Sequence, residues 1–311
     1  MSASPAPRGS QAFLPDPRNE ALLVWVNGRL VPRAEAVVSV FDAGFVLGDG
    51  VWEGLRLVNG RLAFLDAHLD RLFRGAAQIR LDIGLDRPAL ANALYRTAEA
   101  NDMRDGAHLR LMVTRGIKAS PNQDPRQVVG PATVVITAEF KAPPPELYQR
   151  GLALATSRFR TSGPETFDMR LNSHSRLNLI QALLEAIEAG ADEALMLDPH
   201  GHVASCNATN FFIVRDGVVR TSTGEFCFNG ITRGHVIELC RADGIPVELA
   251  DITLQEARDA DEAFVTGTFG GIVPVASLDR RIYPGPLPGP RAARLGTLYR
   301  ALLQAETLPT G

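Results

Sequence analysis

The segment Lys141-Ala-Pro-Pro-Pro-Glu146 constrains the fold more than any other stretch of the chain. Three consecutive prolines remove three backbone donors and favour a stiff, extended connector, so neither a helix nor a central strand runs through them. The break falls toward the middle of 311 residues, and each side carries strand and helix signals of its own. Two α+β domains are therefore expected, residues 21–140 before a linker at 141–149 and residues 150–311 after it. Residues 1–20, rich in Pro, Ala and Ser and without an apolar signal core, read as a disordered tail.

Turn chemistry sets the first elements. Asn27-Gly28 between Leu22–Val26 and Arg29–Val31 predicts a hairpin on a type I′ turn, and Asn59-Gly60 predicts a second within 55–62. Leu69, Leu72, Phe73 and Ala76 recur at helical spacing over 66–79, with Asp66 as the expected N-cap. A second helix is expected over 88–101, then strands at 108–114 and 132–138. Beyond the linker a strand at 151–156 precedes a helix over 175–189. Leu177, Ile180, Leu184 and Ile187 give that helix an apolar stripe, read as its core face, and Gly190 ends it. Strands follow at 193–197, 210–214, 218–221 and 263–267, with helices starting near Ile231-Thr232 and at Pro290.

A net charge of −3, from 32 basic and 35 acidic residues, gives no electrostatic reason to expect nucleic acid or an anionic membrane. No apolar run approaches the ~18 residues of a membrane span. Cys206, Cys227 and Cys240 are an odd set without metal-ligand spacing, so no disulfide framework and no metal site are expected, and the setting reads as cytoplasmic. Only two of the basic residues are lysines, Lys118 and Lys141. Any chemistry that needs an amine must use one of them.

Several short motifs are ambiguous one by one. Gly48-Asp49-Gly50-Val51-Trp52-Glu53 is a glycine-punctuated turn entering a strand, and Arg71 alone reads as a surface arginine. Gly230-Ile231-Thr232 starts a helix, where free N–H groups and the helix dipole suit an anion but also suit plain capping. Thr266-Gly267-Thr268 adds donors at a strand end.

Taken in order, these motifs resemble the class IV aminotransferases, a family of pyridoxal-phosphate (PLP) proteins of fold type IV that includes branched-chain and D-amino-acid transaminases and aminodeoxychorismate lyase. The resemblance runs from about 22 to 278. It passes through His68-Leu69-Asp70-Arg71-Leu72, Val113-Thr114-Arg115-Gly116, Arg176-Leu177-Asn178, Asp192-Glu193-Ala194, Asn210-Phe211-Phe212 and Gly230-Ile231-Thr232-Arg233. It implies the two-domain fold type IV architecture, a homodimer, and a phosphate cup of Arg71, Ile231, Thr232 and Thr268. Trp52 and Lys118 are implied on the substrate side.

The same resemblance implies a lysine twenty-one residues before Glu193, and that position holds Asn172. An amide is neither nucleophilic nor basic, so it cannot form the Schiff base or carry the substrate proton. The family glutamate that keeps the pyridine nitrogen protonated is implied five residues before Asn210, where Ser205 stands beside Cys206. Three readings stay open. The chain is a lysine-independent enzyme keeping an anion cleft for a small anionic metabolite, with PLP bound non-covalently or absent. It is a non-catalytic binding protein. Or it is an amino-acid transaminase whose lysine has moved to Lys118. His174 is either a base or a helix-entry residue, and Cys206 either a nucleophile or an inert buried thiol.

Overall fold

The structure, a computed structural model, describes residues 8–308. These divide into two compact units. The first holds residues 15–142, 171–176 and 304–308, and the second holds 8–14, 143–170 and 177–303. The short segment 171–176 therefore leaves the sequence block around it and belongs to the first unit.

The first unit begins with the hairpin β1 (Leu23–Val26) and β2 (Arg29–Pro32). Its turn residues Asn27 and Gly28 have φ of 47° and 89°, the paired positive φ of a type I′ turn. Then come α1 (Ala43–Leu47), β3 (Gly50–Val58), β4 (Arg61–Leu62), α2 (Leu65–Gln78), α3 (Arg87–Glu99), β5 (Ala107–Thr114) and β6 (Thr133–Phe140). Among the described residues these strands form one antiparallel sheet in the order β2-β1-β6-β5-β3-β4. Leu69, Leu72 and Ala76 of α2 and Leu90 and Leu94 of α3 are buried in one core with Leu55, Leu109, Leu111 and Ile136 of the sheet. Asp66 is not the cap of α2. The helix starts from Phe64, at φ 54° and without a side-chain cap, and Phe64 is itself buried. Burying that ring fixes the helix start in place of local capping chemistry.

The second unit follows the linker with α4 (Glu146–Arg150), β7 (Leu152–Arg160), α5 (Leu177–Glu188), β8 (Glu193–Leu197), β9 (Val203–Cys206), β10 (Asn210–Arg215) and β11 (Val218–Thr221). It continues through α6 (Ile231–Ala242), β12 (Val247–Leu249), α7 (Leu254–Arg258), β13 (Glu262–Gly267), β14 (Gly271–Leu278), β15 (Arg281–Ile282) and α8 (Pro290–Thr307). Its sheet is mixed, in the order β12-β11-β10-β13-β14-β7-β8-β9, with β15 on β14. The pairs β11/β12, β14/β7 and β7/β8 are parallel. The rings of Phe212 and Phe264 stack at 4.9 Å where β10 meets β13.

Two sequence expectations are corrected here. The α5 stripe is not a core face: Leu177, Ile180, Leu184 and Ile187 are all exposed, by 52–68%. Ala182 and Ala186 are the buried positions and pack with Ala194 and Met196 of β8. A face of small side chains lets a helix lie close on a sheet, and the bulkier face is left outward. Nor is the start of the chain a loose tail throughout. Residues 1–7 lie outside the described residues, but the amide of Ser10 donates to Glu193 at 2.7 Å, and the Asn19 side chain bridges both backbone groups of Phe140.

Candidate functional site

In the first unit the alternation of β3 sends Trp52 and Glu53 to opposite faces. Glu53 is fully buried. His68 and Arg71, one helical turn apart on α2, both reach it. Arg71 forks across the carboxylate, Nε to Oε1 at 2.8 Å and Nη2 to Oε2 at 2.6 Å, and His68 Nδ1 lies 2.7 Å from Oε2. Burial alone would raise the Glu53 pKa, but Arg71 and then His68 outweigh it and hold the carboxyl below its usual range. Arg71 is therefore a half-buried structural partner of Glu53 and not a loose surface cation.

The other face of β3 belongs to Trp52 and to segment 171–176, which pairs with the free edge of that strand. The Trp52 amide donates to the Asn172 carbonyl at 3.0 Å, the His174 amide donates to the Gly50 carbonyl at 3.0 Å, and Ser173 lies opposite Val51. Gly50 has to be glycine. A Cβ there would meet the Val113 carbonyl oxygen at 2.4 Å and the His174 ring at 2.7 Å. Asn172 is buried and engaged at both ends of its amide. Its Nδ2 donates to the Trp52 carbonyl, and its Oδ1 accepts from Arg176 Nη2.

Arg176 and Arg110 both lie over the Trp52 ring, with guanidinium carbons 5.4 Å and 3.8 Å from its centroid. Burial, then Arg110 and Arg71, pull the Arg176 pKa down to about 10 against the opposing pull of Glu53. His174 is pulled down to about 4, first by burial and then by Arg110. It is neutral at physiological pH, and its Nε2 is buried without a hydrogen-bond partner among the described residues. A base so depressed is a poor proton acceptor. Lys118 is also buried, and its Nζ donates to the Asp124 carbonyl at 2.9 Å, so the amine holds its own loop.

The second unit carries the remaining sequence-predicted residues. Ser205 and Cys206 are buried on β9, opposite Met196 and Leu195. Burial, and then the Glu193 carboxylate, push the Cys206 thiol well above its usual range, which is the setting of an inert thiol. Ile231 and Thr232 open α6 from Gly230, which caps without a side-chain hydrogen bond. The Asn210 side chain holds this start through the Gly230 amide at 3.2 Å, and Asn210 lies opposite Thr266 in the sheet. The Thr232 hydroxyl is engaged with Tyr299 at 3.2 Å. Thr266 is 1% exposed with its hydroxyl unpartnered among the described residues, and Thr268 follows on the loop after β13. An uncapped helix start beside an unsatisfied buried hydroxyl is an environment that fits an anionic group.

The sequence reading did not single out Arg110, or Arg176 beyond its motif. A lone arginine in a strand or at a helix entry has no local signature. It also did not foresee that Asp198, His202 and Asp251 place ligand-type atoms within 4.8 Å of one another. One oxygen of Asp198 already accepts the amides of His200 and His202, at 2.8 and 2.9 Å. Among the described residues no helix is long and apolar enough to cross a membrane.

Residues 50–278 match the family model described as amino-transferase class IV. The branched-chain-amino-acid aminotransferase-like protein 1 of Arabidopsis thaliana is 37% identical over 309 residues, which is 99% of this chain and 55% of that protein. The chain thus spans about half the length of that relative. A D-alanine aminotransferase of Bacillus licheniformis is 32% identical over 293 residues, covering 92% of this chain and 99% of that protein. Among solved structures, the branched-chain aminotransferase of the thermophilic archaeon Thermoproteus uzoniensis, with norvaline, superposes with a TM-score of 0.82 at 32% identity, covering 92% of this chain and 96% of the other. On the fold, the two mixed α/β units and these likenesses, the chain belongs to the class IV aminotransferase family.

Proposed function

We propose that this family member binds pyridoxal phosphate or a related anionic metabolite through anion contacts, without a covalent lysine link, and does not carry out ordinary Schiff-base transamination. The observation that carries the reading is Asn172. It stands where the resemblance implies the lysine, and both ends of its amide are already committed to Trp52 and Arg176. Lys118, the alternative amine, is buried against the Asp124 carbonyl.

The donors at the start of α6, with Thr266 and Thr268, fit the phosphate of such a group. When bound, that group supplies an electron-withdrawing ring. Ser205, where a carboxylate is implied, offers only a hydroxyl to a ring nitrogen and does not hold it protonated as a carboxylate does. Within the first unit, Arg110 and Arg176 orient negatively charged substituents, and the Trp52 indole excludes water on one side.

A second reading, an amino-acid transaminase, is favoured by the names of the relatives, which are aminotransferases over nearly the whole of this chain. One experiment separates the two. The purified protein is titrated with pyridoxal phosphate, reduced with borohydride and mapped by peptide mass spectrometry. We expect a bound but dialysable cofactor, no pyridoxyl-lysine, and no amino transfer from a panel of L- and D-amino acids. A pyridoxyl group on Lys118 or Lys141 restores the transaminase reading.

A homodimer in a reducing, cytoplasmic compartment completes the proposal. It is supported by the exposed apolar side chains Val37, Val40, Phe41 and Phe45 of the first unit and by three free, buried cysteines. Sedimentation at micromolar concentration tests the assembly, and a monomer there overturns it.

A further inference from the structure

The turn between β8 and β9, Asp198-Pro199-His200-Gly201-His202, is organised by its first residue. The Asp198 amide donates to the His202 carbonyl at 2.8 Å, and its Oδ1 accepts the amides of His200 and His202 at 2.8 and 2.9 Å. The start of β9 then pairs with the segment that leads into α7. The Val203 amide donates to the Ile252 carbonyl at 2.8 Å, and His202 lies opposite Thr253. Two backbone pairings therefore bring Asp251 beside Asp198 and His202, and one ligand-type atom of each lies within 4.8 Å of the other two.

The second oxygen of Asp198 points independently to a ligand. The residue is 4% exposed, yet its Oδ2 accepts no hydrogen bond among the described residues. It faces His202 Nδ1 at 3.8 Å, too far for a hydrogen bond. No arginine or lysine among the described residues forms an ion pair with Asp198 or Asp251. A buried carboxylate oxygen left in this way is costly unless a cation joins it. With metal–ligand bonds of about 2.0 Å, the edge of a tetrahedral zinc site is about 3.3 Å, so a cation would draw Nδ1 and Oδ2 together by only about half an ångström. The exposed Asp251 carboxylate closes the remaining distance by side-chain rotation. One imidazole with two carboxylates suits Zn²⁺, whereas Ca²⁺ and Mg²⁺ favour oxygen ligands alone.

We propose that Asp198, His202 and Asp251 hold one Zn²⁺-type cation, completed by water, that fastens the β8–β9 turn to the segment before α7. Cysteine spacing argues against a metal site, but this donor set uses no cysteine. All three ligands belong to the second unit. None of them takes part in the anion contacts assigned above, so the site stands or falls apart from that reading.

The test uses the full chain without an affinity tag, stripped with EDTA and dialysed. It is titrated calorimetrically with zinc chloride, calcium chloride and magnesium chloride, and its thermal midpoint is read with each. We expect one Zn²⁺ to bind per chain and to raise the midpoint, and Ca²⁺ and Mg²⁺ to do neither at the same concentration. His202→Gln and Asp251→Asn should each weaken zinc binding tenfold or more and remove the rise in midpoint. Neither side chain makes a hydrogen bond among the described residues, so both variants keep the turn. His200→Gln, which removes the other imidazole of the turn, should bind zinc as the parent does. Absence of zinc binding overturns the proposal, as does binding that survives both ligand variants or an equal loss in His200→Gln. Binding of Ca²⁺ or Mg²⁺ in place of zinc overturns it as well.

Discussion

Asn172 is worth more to the first unit than one amide normally is, because it satisfies the Trp52 carbonyl and the half-buried Arg176 guanidinium together. Asn172→Ala should therefore cost about 1–3 kcal/mol, read as a lower midpoint in thermal or urea unfolding. Asn172→Lys should cost more, since it removes the acceptor and sets an ammonium beside Arg176. Adding Arg176→Leu should recover part of that loss. If Asn172→Lys melts like the parent, the pair holds nothing. Two half-buried histidines give the unit an acid-sensitive side. Burial first, then Lys141 and Arg110, hold His108 down to about 3, while His174 sits at about 4. Both fall below the unfolded value near 6.5. Their contribution is thus complete above pH 6.5 and is lost as the pH falls through 4 and 3, in the same direction as the depressed Glu53. Each histidine should account for about 1–3 kcal/mol across that window. His108→Gln and His174→Gln should flatten the acid limb of a stability-against-pH curve, and an unchanged limb counts against neutral burial.

At the scale of elements, α5 inverts the usual economy of an amphipathic helix. Its large apolar side chains face outward while alanines meet the sheet. Ile180→Glu and Leu184→Glu should shift unfolding by no more than about 0.5 kcal/mol, whereas Ala182→Leu and Ala186→Leu should each cost about 1–3 kcal/mol by forcing the helix off β7 and β8. Urea melts of the four variants distinguish these outcomes, and equal losses at all four positions would return the stripe to the core. The neighbouring segment 171–176 makes the complementary point. It is no element in its own right, yet its pairing with β3 places Asn172, His174 and Arg176 together.

For the whole molecule, the order of the chain and the membership of the units disagree. Residues 8–14 join the second unit, while 171–176 and 304–308 join the first. Within the first unit Asn59 donates to Gln304 at 2.9 Å, and within the second the Ser10 amide reaches Glu193. A protease site engineered into 141–146 should therefore give two fragments that co-elute under native conditions and part only in denaturant. Separate elution of the nicked fragments would mean that these ties are too weak to hold a unit together.

The sequence by itself determined what local physics controls. Asn27-Gly28 and Asn59-Gly60 made hairpins because few other pairs tolerate two positive φ angles, and the prolines broke the chain because they cannot donate. The ordered motifs from Trp52 to Thr268 also identified the family, since each motif marks one turn or helix start. Only the tertiary structure decided the rest. Periodicity shows that α5 has an apolar face but not which face is packed, because that depends on how closely the sheet lets a helix approach. Spacing put Asn172 at a particular place, but its amide acquired partners only when a distant segment paired with β3. Arg110 and Arg176, 66 positions apart in sequence, meet over one indole for the same reason: sheet register brings together side chains that no local signal connects.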